Sequence, residues 1–289
     1  MSPQTATPPV ESTGSTWIFF VGVFAVTWTC FITVAVAIPT RTPLGVLLVL
    51  TGAYAPSLVA LALLARSQGM DGVRELLGRV LRWRVAGRWY AFAAGYFVAI
   101  RLTVAVLHRL ITGAWPRFGD SPWYLIPFAV AFSTPFQAGE EIGWRGYALP
   151  RLAARWGLAP ASLALGLIWA VWHVPQFFIR WGDSYGQSFP VFALGVVALS
   201  VTLAWLWART GGSLLLPMLL HSAVNNSMDI VPAAVPGATH VFGFGASLVA
   251  WLSVALLWIG AAYGLASMRG WGRDPSEWRA RGSRDPRPW

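Results

Sequence analysis

Apolar residues fall in eight long blocks: Trp17 to Ile38, Leu44 to Leu64, Trp89 to Leu107, Trp123 to Leu149, Leu158 to Ile179, Pro190 to Trp207, Gly212 to Ile230 and Val241 to Met268. Each is about twenty residues long, which at 1.5 Å per residue matches a hydrocarbon core of about 30 Å. Lipid-embedded barrel strands would instead alternate over about ten residues. Only helices and closed barrels satisfy every backbone N–H and C=O in lipid, so continuous blocks predict helices. The expected fold is all-α, a polytopic transmembrane bundle of about eight spans over residues 17–268. Blocks four and seven are the least apolar.

Residues 1–16 are rich in Pro, Ser and Thr and carry no basic side chain, so the first span lacks the basic flank of a cleaved signal peptide and is expected to be retained. They read as a flexible N-terminal segment, and residues 269–289 as a basic cytoplasmic tail. Between the second and third spans, Val73, Leu76, Leu77, Val80 and Leu81 recur at helical spacing, with Arg74, Glu75, Arg79 and Arg82 off that stripe. This pattern predicts an amphipathic helix lying on the cytoplasmic interface. Trp17, Trp89, Trp123, Trp181, Trp207 and Trp271 stand near predicted span ends, where amphipathic rings favour the headgroup region. Pro175 and Pro217 are expected to break the fifth and seventh helices locally. No internal repeat is evident.

Composition adds exclusions. The chain is 56% hydrophobic and 11% charged, which removes soluble, disordered and coiled-coil classes. Cys30 is the single cysteine, so no intrachain disulfide can form. Every basic residue is arginine: fifteen fall on the side holding residues 66–88, Arg151, Arg155, Arg209 and the tail, against four on the other. By the positive-inside rule both termini are cytoplasmic, in a cell membrane. The net charge of +10 is then explained by topology and anionic cytoplasmic lipid, without a nucleic-acid partner.

Ionisable groups inside a membrane are costly, so their clustering points to function. Block four carries Glu140, Glu141 and Arg145, block five Trp169 and His173, and block seven His221 and Asn225. Glu141 and Arg145 are four residues apart with the acid first, the favourable order for an ion pair. Glu140 is rotated by about 100° and is left without a cation of its own. An uncompensated carboxylate in low dielectric is tuned upward, as a general base near neutral pH requires, so Glu140 is the expected base. At 1.5 Å per residue, Glu140, His221 and His173 lie about 15, 14 and 20 Å from the cytoplasmic ends of their spans. Trp169 and His173, and likewise His221 and Asn225, share helix faces by their spacing. Arg101, midway along the third block, reads as an interior pair or a snorkelling residue.

The ordered set Glu140-Glu141-x-x-x-Arg145, Trp169-x-x-x-His173 and His221-x-x-x-Asn225 resembles the three motifs of the CAAX prenyl protease and bacteriocin-processing (CPBP, or Abi) family of intramembrane proteases, across residues 123–230. One departure is Trp169, where the family more often has Phe. The resemblance implies an endopeptidase acting on a membrane-associated peptide or protein, of a kind that includes lipidated ones, at a water-containing cavity open to the cytoplasm. It implies that Glu140, aided by His173, activates water, that His221 and Asn225 stabilise the oxyanion, and that Glu141, Arg145 and Trp169 support them. His-Glu-x-x-His and its inverse are absent. His173, His221 and Glu140 would nonetheless make a plausible three-ligand site for a divalent metal such as zinc, although a glutamate base needs no ion and the metal-free chemistry is favoured. A proton-coupled or small-molecule transporter, and a non-enzymatic scaffold or bacteriocin-immunity partner, are the competing expectations.

Overall fold

A computed structural model of the chain describes residues 13–180, 182, 184–232, 240–269 and 271. Among them the chain is helical without strands: α1 (Thr13–Val36), α2 (Pro43–Val80), α3 (Gly87–Thr112), α4 (Ile126–Ser133), α5 (Ala138–Glu141), α6 (Leu149–Trp156), α7 (Leu158–Trp172), α8 (Phe189–Arg209), α9 (Leu215–Ser227) and α10 (Leu248–Ser267). Among the described residues, six stretches are long and apolar enough to cross a membrane: α1, α2, α3, α7 with its extension to Phe178, α8 and α10. The polytopic helical bundle is thus as the apolar blocks predict. Residues 1–12, Trp181 and the tail beyond Trp271 lie outside the described residues, as does the short stretch 233–239.

Local sequence sets the helix starts. Thr42, Ser188 and Ser247 accept hydrogen bonds from the backbone N–H groups of Gly45, Val191 and Ala250, at 3.0, 3.3 and 3.1 Å. Each caps a helix, and Pro43 and Pro190 occupy first-turn positions where a missing N–H costs nothing. Helix α8 is apolar all round and buried almost continuously from Val196 to Ala208, so it forms the centre of the bundle. Helices α7 and α10 pack on it, and α3 packs against α9 and α10. Outward faces carry Ile18, Leu102, Phe128, Phe132 and Ile259, all exposed. That inverted distribution suits lipid and would be an aggregation hazard in water.

The amphipathic stripe does form a helical segment of its own: the helical run α2 is broken at Gly69, whose φ of 67° is a left-handed backbone that a side chain would oppose, and a second helix follows the kink. Several other expectations are corrected. Val73 and Leu76 are buried against the protein, whereas Leu77 and Leu81 are exposed, so the stripe splits between protein and surroundings. Trp207 is 1% exposed and belongs to the core rather than to an interface. The seventh span is only thirteen residues of helix, beginning at Leu215, so His221 is about 9 Å along it rather than 14 Å. Pro217 does not break α9, because it lies in the first turn, where no intrahelical donor is needed. The eighth span begins at Leu248 and not at Val241, since Val241 O and Gly243 O instead accept bonds from Phe189 N–H and Ser188 Oγ–H at 2.8 and 2.6 Å.

The fourth block departs furthest from a plain span. It runs as a 3₁₀ turn, α4, a second 3₁₀ turn over Thr134–Gln137, the four-residue α5, a π-helix over Ile142–Ala148, and α6. Pro135 opens the second 3₁₀ turn and Pro150 lies in the first turn of α6. Neither can donate, and each ring crowds the turn before it, so a regular α ladder is interrupted on both sides of the acids. Leu149 N–H reaches back five residues to Trp144 O, the wider spacing of a π turn.

Candidate active site

Glu140 and Glu141 sit on α5, pressed against α2 by two glycines. A Cβ at Gly139 would lie 2.9 Å from the Tyr54 ring, and one at Gly143 would lie 2.5 Å from Pro56 O. This Gly-x-x-x-Gly spacing lets the two backbones touch, as small residues do between membrane helices. Hydropathy alone passes over it, although the spacing is plain in the sequence. From that fixed position the two acids diverge.

Glu141 is fully buried. Its Oε1 accepts from Arg145 Nη1–H at 2.9 Å and from His221 Nδ1–H at 2.8 Å, so the expected i, i+4 pair is present and α9 is tied to the same oxygen. Arg145 is likewise fully buried, and its guanidinium lies 4.2 Å from the centroid of the Trp169 ring. Glu140 is half-buried, and its Oε2 accepts the indole N–H of Trp169 at 2.7 Å.

Trp169 is the point where these groups meet. Besides bonding Glu140 and covering Arg145, its ring packs edge-on to His221 at 5.3 Å and against His173 at 5.6 Å between centroids. Its carbonyl accepts from His173 Nδ1–H at 2.7 Å. Helix α7 stops at Trp172, and a 3₁₀ turn carrying Pro175 follows, so His173 stands where the helix ends. Trp172 and Phe192 flank its ring at 4.7 and 5.1 Å. Trp172 N–H in turn donates to Thr27 Oγ1, which donates to Gly52 O, both at 2.8 Å, fastening α7 to α1 and α2. Both imidazoles therefore spend Nδ1–H on fixed acceptors, leaving each Nε2 for chemistry.

A cavity of about 430 Å³ is lined by Trp169, His173, His221 and Asn225 together with Arg101 and Phe192. Glu140 is not in its lining; the indole of Trp169 connects its carboxylate to the wall. His173 is within electrostatic range of Glu140, His221 and Arg145. Asn225 Nδ2 faces Gln137 Oε1 at 3.5 Å, a distance at which little bond energy is committed. Beside it, Asn226 Nδ2–H donates to Ser133 Oγ at 2.7 Å, Ser133 to Ser222 Oγ at 2.5 Å, and Ser222 to Val130 O at 2.7 Å, a chain that locks α9 to α4. Gln137, Thr27, Ser133, Ser222 and Asn226 escape sequence reasoning because their partners lie far along the chain.

Among the described residues, no three His, Cys, Asp or Glu side chains gather closely enough to hold a metal ion. His173, His221 and Glu140 thus do not close around a cation, and Nδ1 of His221 is already committed to Glu141.

Residues 120–227 match the Rce1-like family, described as type II CAAX prenyl endopeptidase. One relative, CAAX prenyl protease 2 of Methanococcus maripaludis, is 25% identical over 232 residues, covering 74% of this chain and 84% of that protein. The matched region contains Glu140, Glu141, Arg145, Trp169, His173, His221 and Asn225, so the comparisons favour a protease over a permease or a scaffold. These similarities support the resemblance of residues 120–227 to the CAAX prenyl protease and bacteriocin-processing family of intramembrane proteases.

Proposed function

We propose that the protein hydrolyses a peptide bond near the C-terminus of a membrane-associated, prenylated protein, with Glu140 as the general base. The observation that carries this reading is the convergence on Trp169: one side chain bonds Glu140, packs on His221 and, through its carbonyl, orients His173. The matched family and relative suggest the substrate class, a C-terminal Cys-a-a-X sequence modified on its cysteine.

The chemistry follows from which atoms are uncommitted. With Nδ1–H donated to Trp169 O, neutral His173 presents a lone pair at Nε2 and accepts a hydrogen bond from water. The free oxygen of Glu140 takes the water proton as the oxygen attacks the scissile carbonyl, and the new carboxylic acid later returns that proton to the departing amine. Asn225 Nδ2 carries its hydrogens in every state and is loosely held, so it turns to the tetrahedral oxyanion. His221 Nε2 donates there only as an imidazolium, because Nδ1–H already belongs to Glu141. One buried oxyanion donor typically supplies about 2.7 to 4 kcal/mol. Glu141 and Arg145 hold His221 and do not touch the reacting atoms.

The steps above use no metal, because Glu140 and the two imidazoles suffice for them. Metal analysis of active protein, with chelation and re-addition, checks this: activity is expected to survive removal, and its restoration only by an added ion would reverse the assignment. The protein is a multi-pass membrane protein; with both termini cytoplasmic in a cell membrane, as the arginine distribution favours, the cavity lining at residues 186–188 and 245–247, before α8 and α10, faces the opposite side rather than the expected cytoplasmic one. The direct test is Glu140→Gln, expected to retain the fold and lose cleavage; unchanged turnover removes Glu140 from the base role.

A further inference from the structure

Among the described residues, Arg101 is a cation without an acid. It lies in the middle of α3, 2% exposed, and contacts Ser253 Oγ, which accepts from Nη1–H at 2.8 Å, and the Phe97 ring, 4.8 Å from Cζ. Its Nε–H has no partner. It is neither snorkelling, since the side chain stays inside, nor ion-paired as a buried guanidinium ordinarily is. Arg101 and Ser253 line the same cavity as His173 and His221, and no Asp or Glu is among that cavity's described lining.

A buried guanidinium facing a cavity without a fixed counter-charge calls for an anion that comes and goes. Depth selects its source. Arg101 is 14 residues from Gly87 and 11 from Thr112, or about 21 and 16 Å along the helix, beyond the reach of headgroup phosphates on either side. The anion must then be carried in by the bound peptide. A substrate cut a few residues from its C-terminus carries one there, its own terminal carboxylate, and three extended residues place it about 10 Å from the scissile bond. We propose that Arg101, held by Ser253 and Phe97, is the carboxylate anchor that selects peptides with a free C-terminus and sets the cleavage position. The inference rests on the protease reading and names a specificity residue that the Glu140–His221 chemistry does not use.

The test compares one fluorogenic prenylated peptide ending in a free acid with the same peptide ending in an amide. Wild type is expected to cleave the acid with a kcat/KM about 10- to 100-fold higher, mostly through KM, the range of a charge-assisted hydrogen bond. Arg101→Gln should lose that preference by losing the acid substrate while its rate on the amide is unchanged, and Arg101→Lys should restore part of it. Should Arg101→Gln not fold, Ser253→Ala, which removes only the orienting hydroxyl, is expected to raise KM for the acid alone. Thermal protection of wild type by a free-acid tripeptide, absent with the tripeptide amide, gives a readout independent of turnover. Equal cleavage of both peptides by wild type, or an acid preference that survives Arg101→Gln, overturns the anchor and leaves the protease reading intact. Cleavage of neither by wild type overturns the protease reading itself.

Discussion

Replacing each of two adjacent glutamates by glutamine should have opposite consequences. Glu141 is fully buried, and its Oε1 takes both Arg145 and His221. In Glu141→Gln an acceptor oxygen of the same shape remains, but Arg145 becomes a buried cation that has lost its ion-pair partner and keeps only the face of Trp169 and the more distant charge of Glu140. Breaking a buried ion pair from one side costs about 3–5 kcal/mol, and because glutamine keeps the hydrogen bonds the low end applies, about 3 kcal/mol. At the scaling of a large domain that lowers the melting temperature on the order of 10 °C. Glu140 is half-buried and accepts a hydrogen bond from Trp169, which glutamine can still accept, so Glu140→Gln should cost no more than about 1 kcal/mol while removing the base. Both variants would be purified in the same detergent and followed by monodispersity after graded heating and by peptide cleavage. The expected pattern is a stable, inactive Glu140→Gln and a heat-labile Glu141→Gln. Equal melting of the two, or a Glu140→Gln as labile as Glu141→Gln, refutes the division of labour drawn from their surroundings.

Three further outcomes follow from other contacts. Trp169→Phe keeps a ring over Arg145 but loses the N–H on Glu140, so kcat should fall about 10- to 100-fold with KM little changed in steady-state kinetics; an unchanged kcat removes the indole from orienting the base. Gly143→Ala forces a methyl onto the Pro56 backbone and should sharply reduce folded yield in size-exclusion profiles, whereas Gly78→Ala, with nothing within 4 Å, should be neutral; equal yields would mean that α2 does not press on the motif segment. Asn226→Ala cuts the chain through Ser133 and Ser222, and is expected to lower the melting temperature by a few degrees with kcat nearly intact, in contrast to Asn225→Ala, where turnover falls and melting does not.

The apolar blocks made the bundle legible because helix length in lipid is set by bilayer thickness, a constraint read directly from run length. Same-helix geometry was legible for the same reason: Glu141 with Arg145 and Trp169 with His173 follow from a fixed rise and period. Contacts between helices are another matter. The Glu141–His221 bond spans 80 residues and the Glu140–Trp169 bond spans 29, and spacing within a helix says nothing about which faces meet. Matched depth hinted at the meeting, but its arithmetic was off for His221 because α9 starts later than the apolar block. The broken fourth block escapes a reading of its length as one span, although its lower apolarity, Pro135 and Pro150 accompany a backbone that changes from 3₁₀ to α to π. The separate amphipathic helix was legible, and Gly69, whose backbone leaves the helical region, marks its break from the second span.

The irregular fourth segment explains how two neighbouring acids come to differ so much. On a helix packed along its whole length, one acid facing the bundle leaves the next about 100° away, toward a neighbouring helix or lipid, where a carboxylate is costly. Here α5 is four residues long, held to α2 through Gly139 and Gly143, and both of its ends leave the α register. That brevity lets Glu141 point wholly inside, to Arg145 and His221, while Glu140 is met by a donor from another helix that also lines the cavity. The departure to Trp at position 169 is then more than a change of ring size. Phenylalanine could cover Arg145 and pack on both imidazoles, but it has no N–H for Glu140, so a chain with Phe there must orient that carboxylate by another donor. Trp169→Phe combined with a donor at a neighbouring cavity position, such as Phe192→Tyr, should accordingly recover more turnover than Trp169→Phe alone. Equal rates for the single and double variants would show that the indole orients the base in a way that no hydroxyl at position 192 can replace.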